Sequence, residues 1–327
     1  MALKFYTMQD ALAVLDQVRL NFTPSGLFLL NVTLAFVMFG VALEIDVGNF
    51  REILKKPKSL IIGFFSQFLV LPGLTFLLIL LIEPSASVAL GMLLVASCPG
   101  GNISNFISNL AKGNTALSVS LTGIATVGSI FLTPANFAFW GGLYEKASQI
   151  IMPIEIDPWH MLRTVVILLG IPMIAGMLFA RRFPLITARI TKPIKIISIL
   201  IFAGFVVVAF SNNVNYFLKY IHLIFLIVLA HNAIALLSGF AISTAFRLPS
   251  KDRRSISIET GIQNSGLALV LIFSPRLFDG LGGMAFIAAW WGIWHIVAGL
   301  AIAGLWSRKP LGKGRRSLSW NSRGANY

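Results

Sequence analysis

The sequence predicts an all-α polytopic membrane protein, and three observations lead to that prediction. The 327 residues are 57% hydrophobic and only 12% charged, whereas soluble domains carry about 25% charged residues. Apolar stretches recur along the chain at close to the roughly 20 residues that cross a bilayer. Two of these stretches are interrupted midway by polar and glycine-rich sequence, which a membrane tolerates only inside protein or against a water-filled cavity.

About nine transmembrane helices are predicted from the spacing of the apolar stretches. The third and the eighth contain the two interruptions. The predicted spans lie at about 25–43, 58–82, 86–111, 114–141, 159–180, 193–211, 218–246, 255–274 and 283–306.

Residues 1–24 are predicted to form an external segment before the first span. Asp10 and Asp16 interrupt the apolar run there, and no small-residue cleavage site follows, so the segment is not typical of a signal peptide. Apolar side chains, among them Leu12 and Leu15, allow a short amphipathic helix on the outer surface.

The distribution of basic residues predicts the orientation in the membrane. Residues 307–327 form a tail rich in Lys and Arg, which we expect in the cytoplasm by the positive-inside rule. Nine spans then place the N-terminus outside, and this assignment puts most of the 26 Lys and Arg residues on the cytoplasmic side. The net charge of +14 therefore reflects topology and contact with anionic membrane lipids, not nucleic acid. We expect the inner or plasma membrane.

Composition also argues against several kinds of site. A single cysteine, Cys98, excludes a disulfide within the chain, and the four scattered histidines show no metal-binding spacing, so no transition metal is expected. No phosphate-binding loop motif occurs, so transport would draw on an ion gradient and needs no organic cofactor. An intramembrane enzyme is the remote alternative, but Ser104 has no base nearby in sequence and Glu259 has no second carboxylate.

The two interruptions occupy corresponding places in the two halves of the chain. Residues 98–105 read CPGGNISN and residues 259–266 read ETGIQNSG. Because the interrupted spans are an odd number of spans apart, the second copy is inverted in the membrane. Inverted repeats with paired helix breaks mark the binding site of secondary transporters. The sequence therefore predicts a transporter whose two discontinuous helices cross near the midplane.

Glu259 is the only one of the 12 acidic residues that lies inside a predicted span. A carboxylate there costs about 2.5–3.5 kcal/mol on insertion scales and usually marks function. The alternative is that it lies near the cytoplasmic helix end, beside Arg253 and Arg254. Neutral oxygens in apolar segments favour a monovalent cation such as sodium as its partner. They belong to Gln67, Ser104, Asn105, Ser118, Thr122, Gln263 and Asn264.

Some of these polar residues have a second interpretation. Ser118 and Thr122 are four residues apart and share a helix face, but taken alone such hydroxyls are common where membrane helices pack. His295 either lines the cavity or is structural, and the pair His231 and Asn232 is comparable.

At these residues the sequence resembles the bile acid:sodium symporter family, over about residues 25–306. The matching stretches are 39–43, 67–68 with Pro72, 98–105, 116–118 and 259–266. The resemblance implies a core domain, which contains two crossing broken helices, and a smaller panel domain that moves against it in alternating access. The implied panel helices are 25–43, 159–180 and 193–211, and the other predicted spans form the implied core.

By matching position, the resemblance also implies two sodium ions that share Glu259. One implied site consists of Ser104, Asn105, Ser118, Thr122 and Glu259. The other consists of Gln67, Glu259 and Gln263 with the backbone carbonyls of Thr260 and Ile262. Asn102, Asn264 and His295 match positions near the substrate. Asn102 and Ile296 depart from residues common among bacterial members, so the resemblance does not fix the substrate.

One carboxylate shared by two sodium ions leaves a local charge of about +1, and helix N-termini at the breaks add partial positive charge. We therefore expect sodium-coupled symport of an organic anion, bile-acid-like or another carboxylate or sulfonate. The alternative within transport is a sodium-independent carrier or exporter of organic anions, and its sign would be loss of the ion ligands.

Overall fold

The computed structural model is built mainly of helices and describes residues 12–20, 24–43, 57–144, 157–212 and 214–308. Within these ranges there is no β-strand, only two isolated bridges. In chain order the helices are α1 (Pro24–Leu43), α2 (Pro57–Ile82), α3 (Ala86–Ser97), α4 (Ile103–Leu110), α5 (Thr115–Gly142), α6 (Pro158–Arg182), α7 (Pro184–Asn212), α8 (Val214–Ala245), α9 (Ser250–Gly261), α10 (Ser265–Phe273) and α11 (Gly282–Arg308).

Several of these helices have the length and composition of membrane spans. Within the described residues, 6 helices are long and apolar enough to cross a membrane. They lie within α1, α2, α5, α6, α8 and α11. α3 is a shorter apolar helix. The all-α fold class is therefore confirmed, and the helices have the character of a polytopic membrane protein.

Both predicted interruptions are helix breaks. The first separates α3 from α4, and the second separates α9 from α10. The amide N–H of Gly101 donates to the carbonyl of Ile262 at 2.7 Å, and the N–H of Asn264 donates to the carbonyl of Pro99 at 2.8 Å. Each break thus supplies partners for backbone groups of the other, which matters because unpaired polar groups are costly in a membrane.

Two glycines let the breaks approach this closely. A Cβ on Gly100 would lie 2.7 Å from Oε2 of Glu259, and one on Gly101 would lie 3.0 Å from the carbonyl oxygen of Gln263. A side chain at Gly100 would therefore force the carboxylate or the chain to move.

The helices pack in two groups. α1 packs against α6 and α7, which also contact each other. In the larger group α8 packs against α9, α3 against α11, and α4 against α5, α9 and α11. The groups meet where α1 touches α10 and where α5 touches α6. Both helix breaks belong to the larger group.

The described part of the N-terminal segment packs into the protein, whereas a helix on the outer surface was predicted. Leu12 and Ala13 are helical and Val14–Asp16 is a 3₁₀ turn. Leu12 and Leu15 are buried in the hydrophobic core. Oδ1 of Asp16 accepts a hydrogen bond from the N–H of Ser87 at 2.9 Å. These leucines bury their apolar surface against the protein instead of lipid. Residues 1–11 and 21–23 lie outside the described residues.

Two of the helices that begin earlier than hydropathy predicts start with charged turns. α7 begins at Pro184, where the prediction was 193, and α9 begins at Ser250, where it was 255. The added turns carry charged residues such as Arg189 and Lys251. A helix continues as long as its backbone hydrogen bonds are made, so its charged turns are missed by a hydropathy window. Of the predicted cytoplasmic tail, residues 309–327 lie outside the described residues.

Candidate functional site

Glu259 lies in the last turn of α9, next to the second break, and is fully buried. The arginines one and two turns away do not pair with it. Nε of Arg253 donates to the carbonyl of Leu248 at 2.6 Å, and Nη1 of Arg254 donates to the carbonyl of Ala111 at 2.8 Å. The alternative that placed Glu259 beside these arginines at the helix end is therefore wrong.

Hydroxyl groups from α4 and α5 surround one side of the Glu259 carboxylate. Oγ of Ser104 donates to Oε1 at 2.5 Å, and Oγ of Ser118 donates to the same oxygen. Oγ1 of Thr122 lies 3.2 Å from Oε1 and 3.1 Å from Oε2. Oδ1 of Asn105 lies 2.9 Å from Oγ of Ser118 and 3.1 Å from Oγ1 of Thr122. The five side chains predicted for the first sodium site thus lie together.

Ser118 and Thr122 each have more acceptor oxygens within reach than their single hydroxyl proton can serve. Ser118 has one hydroxyl proton, yet Oδ1 of Asn105, Oγ of Ser108 and Oε1 of Glu259 all lie within hydrogen-bond distance of it. Thr122 also has one proton, for Asn105 and both oxygens of Glu259. A hydroxyl group donates only one hydrogen bond at a time. Some oxygens around these two hydroxyls therefore keep lone pairs that the protons of Ser118 and Thr122 do not fill.

Capping of α5 sets the positions of two of these hydroxyls. Oδ1 of Asn114 accepts a hydrogen bond from the N–H of Leu117 at 3.1 Å, an N-cap that starts the helix. Ser118 and Thr122 are then one turn apart on the face that meets α4. Ser104 and Asn105 stand in the first turn of α4, directly after the first break.

The residues predicted for the second sodium site lie on α2 and in the second break. Gln67 belongs to a π-helical turn of α2, Ser66–Val70, a local widening that often marks functional sites. Its Nε2 is 3.5 Å from Oε2 of Glu259. Nε2 of Gln263, within the second break, donates to the carbonyl of Thr260 at 2.8 Å. Among the described residues, Oε1 of both glutamines is buried with no hydrogen-bond partner.

The two backbone carbonyls predicted for the second sodium site each accept one hydrogen bond. The carbonyl of Thr260 accepts from Gln263, and that of Ile262 accepts from Gly101. A carbonyl oxygen has two lone pairs, so each keeps one. Oγ1 of Thr260 also pairs with Oγ of Ser66 at 2.8 Å, which connects the π-helical turn of α2 directly to α9.

The three residues predicted near the substrate stand at the breaks and beside them. Asn102 is half-buried at the N-cap of α4. Asn264 caps α10, because its Oδ1 accepts a hydrogen bond from the N–H of Leu267. His295 is 4% exposed on α11. Gly292 and Gly299, on the same helix face as His295, both pack against the second break. His295 therefore lies on the face of α11 directed at that break.

Sequence reasoning did not assign several side chains that support the site. Ser108 follows Ser104 by four residues on α4, a spacing that the sequence already shows. Nδ2 of Asn232 donates to the carbonyl of Gly261 at 2.6 Å, and Ser66 contacts Thr260. The contacts of Ser66 and Asn232 depend on how α2 and α8 pack against α9, so no local pattern reveals them.

The donor set determines which ions fit. Among the residues that the structure describes, no three His, Cys, Asp or Glu side chains lie together as a metal site. Around Glu259 the possible ligands are one carboxylate, hydroxyls, amide oxygens and carbonyls. Oxygen ligands of this kind suit hard cations, and a single negative charge is appropriate to a monovalent ion that must leave again.

Several known proteins similar to this chain are named as transporters. The model of the Sodium Bile acid symporter family matches residues 31–220. The chain is 31% identical to the uncharacterized sodium-dependent transporter YocS of Bacillus subtilis, over 89% of this chain and 87% of that protein. It is 32% identical to a probable sodium/metabolite cotransporter of rice chloroplasts, BASS2, over 74% of this chain and 56% of the relative.

More distant similarity extends to animals. The chain is 25% identical to the mouse protein named sodium/bile acid cotransporter 4, over 77% of this chain and 57% of that protein. It thus spans little more than half the length of the rice and mouse relatives. The matches, the buried oxygen cluster and the apolar helices lead to one assignment. The chain belongs to the sodium bile acid symporter family, as an integral membrane protein that transports a substrate in a sodium-dependent manner and is not an enzyme.

Proposed function

We propose that this transporter couples the import of an organic anion to two sodium ions that share Glu259. The observation that carries the proposal is a fully buried carboxylate surrounded by neutral oxygens, where Ser118 and Thr122 each have more acceptors in reach than their single proton can serve. Buried polar groups are normally paired, and a buried charge needs a partner. Cations would supply the positive charge that the neutral donors to Glu259 lack.

The first ion is assigned to the group on the α4 and α5 side. Oxygens of Ser104, Asn105, Ser118 and Thr122 are already directed at one another and at Glu259. On binding, the ion would take hydroxyl lone pairs that the hydroxyl protons do not use. The helix break brings Ser104 and Asn105 to this position because α4 begins there.

The second ion is assigned to the side of Gln67 and Gln263. The unpartnered Oε1 atoms of both glutamines support this assignment, as do the remaining lone pairs of the carbonyls of Thr260 and Ile262. Glu259 belongs to both groups, since its Oε2 faces Gln67 while its Oε1 accepts hydrogen bonds from Ser104 and Ser118. Binding of one ion would therefore change the affinity for the other.

The substrate class follows from the charge that two ions would leave. Two monovalent cations and one carboxylate give about +1, to which the starts of α4 and α10 add partial positive charge. An anion fits this balance. Asn102, Asn264 and His295 stand at or beside the breaks and offer donors to a carboxylate or sulfonate. The names of the rice and mouse relatives, a metabolite and a bile acid cotransporter, are compatible with such a substrate.

Alternating access is proposed to arise between the two packing groups. The group of α1, α6 and α7 would be the panel, and the group with the breaks would be the core. Nine membrane-crossing units, the inverted repeat, the external N-terminus and the cytoplasmic C-terminus belong to the same proposal. Its support is the separate packing of the groups and the meeting of the two breaks.

Thermal unfolding tests the proposal in the detergent-purified full chain. We expect the melting temperature to rise in sodium but not in equal potassium, because ligands that bind the native state stabilise it. An organic anion should add to the shift only when sodium is present. Bile acids, small 2-oxo acids and sulfonates form the first panel.

Proteoliposomes then test coupling, with uptake of the identified anion measured under an inward sodium gradient. Collapse of the gradient should stop accumulation above equilibrium. Stabilisation by an anion with no sodium requirement would instead support the sodium-independent carrier and contradict the proposed symport.

A further inference from the structure

We infer that His231 and Asn232, adjacent on α8, are positioning residues that fix the two halves of the second proposed sodium site relative to each other. One half is Gln67 on α2, and the other is the end of α9 with the break that follows. The inference rests on the proposed function, because it presupposes an ion between these halves. Both residues are buried, at 0% and 1% exposure.

Asn232 holds the α9 half. Its Nδ2 donates to the carbonyl of Gly261 at 2.6 Å. Gly261 is the last residue of α9, so the break deprives its carbonyl of a partner within the helix. The neighbouring carbonyls at 260 and 262 are proposed sodium ligands. By pairing with Gly261, Asn232 fixes the direction of the chain between them.

His231 holds the α2 half through Thr75. Oγ1 of Thr75 donates its single proton to the carbonyl of Leu71 at 2.8 Å. It must therefore accept the bond from Nε2 of His231, also 2.8 Å long. Thr75 stands two turns after Gln67 on the same helix. The ring of His231 also lies against Trp291, with 4.6 Å between ring centroids, which restricts its orientation.

Close packing makes α8 a rigid support for these two bonds. A Cβ on Gly239 would lie 2.8 Å from the carbonyl oxygen of Ile256, so the two helix backbones are nearly in contact. One turn before, the carbonyl of Leu236 accepts from Oγ of Ser257 at 2.7 Å. Asn232 continues this line of contacts to the end of α9. A shift of α8 would therefore move the carbonyls of the break.

The hydrogen bonds of His231 and Asn232 reach the second proposed ion site and not the side chains that only the first one uses. His231 and Asn232 bond to α2 and α9, whereas the side chains particular to the first site come from α4 and α5. Loss of either bond should disturb the second site more than the first. This selectivity separates a positioning role from a general contribution to stability.

Sodium titration of thermal stability at constant ionic strength, with potassium as the replacement cation, tests the inference. In Asn232→Ala we expect the half-saturating sodium concentration to rise roughly five-fold or more, since one buried hydrogen bond is lost. The steepness of the titration should fall, because the second site then fills at higher sodium concentrations than before. Ser238→Ala is the matched control on α8, because that hydroxyl bonds only within its own helix, to Ala235.

Double variants identify the site through which Asn232 acts. Combined with Gln263→Ala, Asn232→Ala should add little, because both changes act on the second site. Combined with Ser118→Ala, the two fold-changes in the half-saturating sodium concentration should multiply. Thr75→Val, which removes the hydroxyl partner of His231 away from the break, should behave like Asn232→Ala and serves if the latter does not fold.

Three results would contradict the inference. One is an equal fall in melting temperature in sodium and potassium, with the half-saturating sodium concentration unchanged in both Asn232→Ala and Thr75→Val. Another is a double variant of Asn232→Ala and Gln263→Ala in which the half-saturating sodium concentration rises by the product of the two single fold-changes. The third, no sodium response in the unsubstituted protein, overturns the proposed function itself. A normal sodium response of that protein, with unaffected variants, overturns only the role of His231 and Asn232.

Discussion

Glu259 receives hydrogen bonds from side chains on three other helices, so one carboxylate connects residues far apart in the sequence. Ser104 reaches it from α4, Thr122 from α5 and Gln67 from α2. All the donors are neutral. A fully buried carboxylate with only neutral donors is expensive in free energy, and the proposed sodium ions offset that cost by adding charge where the site has none.

Replacing Glu259 by Gln should abolish sodium-specific stabilisation and sodium-driven uptake. The amide keeps the size of the side chain but removes the charge that both ions are proposed to share. Melting temperature in sodium and in potassium checks this, with Glu83→Gln as the control because that carboxylate is exposed at the end of α2. Unchanged sodium-dependent uptake in Glu259→Gln would rule out the shared-carboxylate mechanism.

Replacing Ser118 by Ala should weaken the first site without unfolding the protein. If one ligand contributes about 1 kcal/mol to the binding free energy of sodium, its loss raises the half-saturating sodium concentration roughly five-fold. Ser120→Ala, two residues along the same helix and equally buried, should leave the titration as it is. Equal effects of the two substitutions would show that Ser118 acts through helix packing.

At the scale of elements, the two broken helices depend on each other. Gly100 and Gln263 form an antiparallel bridge, and hydrogen bonds on either side of it pair backbone groups that each break leaves free. Neither break would be stable alone in hydrocarbon. The contact also brings the start of α4 and the end of α9 together, and these supply Ser104 and Glu259.

Replacing Gly100 by Ala should therefore disrupt the contact between the breaks. The added Cβ would lie 2.7 Å from Oε2 of Glu259 and 3.3 Å from its backbone oxygen, so the carboxylate or the chain must shift. We expect a lower melting temperature in potassium and no further rise in sodium.

Gly304→Ala on α11 is the control for this substitution, since nothing lies within 4 Å of the added methyl group. The control should be neutral or stabilising by up to about 1 kcal/mol, because Ala favours a helix more than Gly does. A Gly100→Ala variant with the sodium response of the unsubstituted protein would contradict the tight pairing of the breaks.

At the scale of the whole molecule, the outer surface of the helices suits lipid. Large apolar side chains such as Phe28, Leu81 and Phe131 are 71%, 80% and 67% exposed, which a membrane explains. Polar groups are instead concentrated inside, around the breaks. Orientation across the membrane rests on the Lys and Arg distribution, much of it in loops and in the tail outside the described residues.

Cysteine labelling tests that orientation. The only cysteine, Cys98, is fully buried, so introduced cysteines can be read against a low background. In intact cells an impermeant maleimide should label Lys4→Cys but not Arg323→Cys, and the tail should react only after the membrane is opened. Labelling of Arg323→Cys in intact cells would reverse the predicted topology.

The amino-acid sequence by itself determined the helical membrane class, the position of both breaks and the identity of the ion-ligand candidates. Long apolar runs and polar residues inside them leave few alternatives, because the membrane penalises every unpaired polar group. The positions of Ser104, Asn105 and Glu259 beside the breaks could be read from this rule alone. Hydropathy failed where helices run on through charged turns, at Pro184 and Ser250.

Only the tertiary structure decided which of these residues meet. The bonds of Gln67 to Glu259, of Asn232 to Gly261 and of Asp16 to Ser87 join positions far apart in the chain. No local periodicity encodes such pairs, because they depend on how separate helices pack. The burial of Leu15 against the helical body, where an interfacial helix was expected, has the same cause. Sequence shows which groups need partners, and packing decides which partners they find.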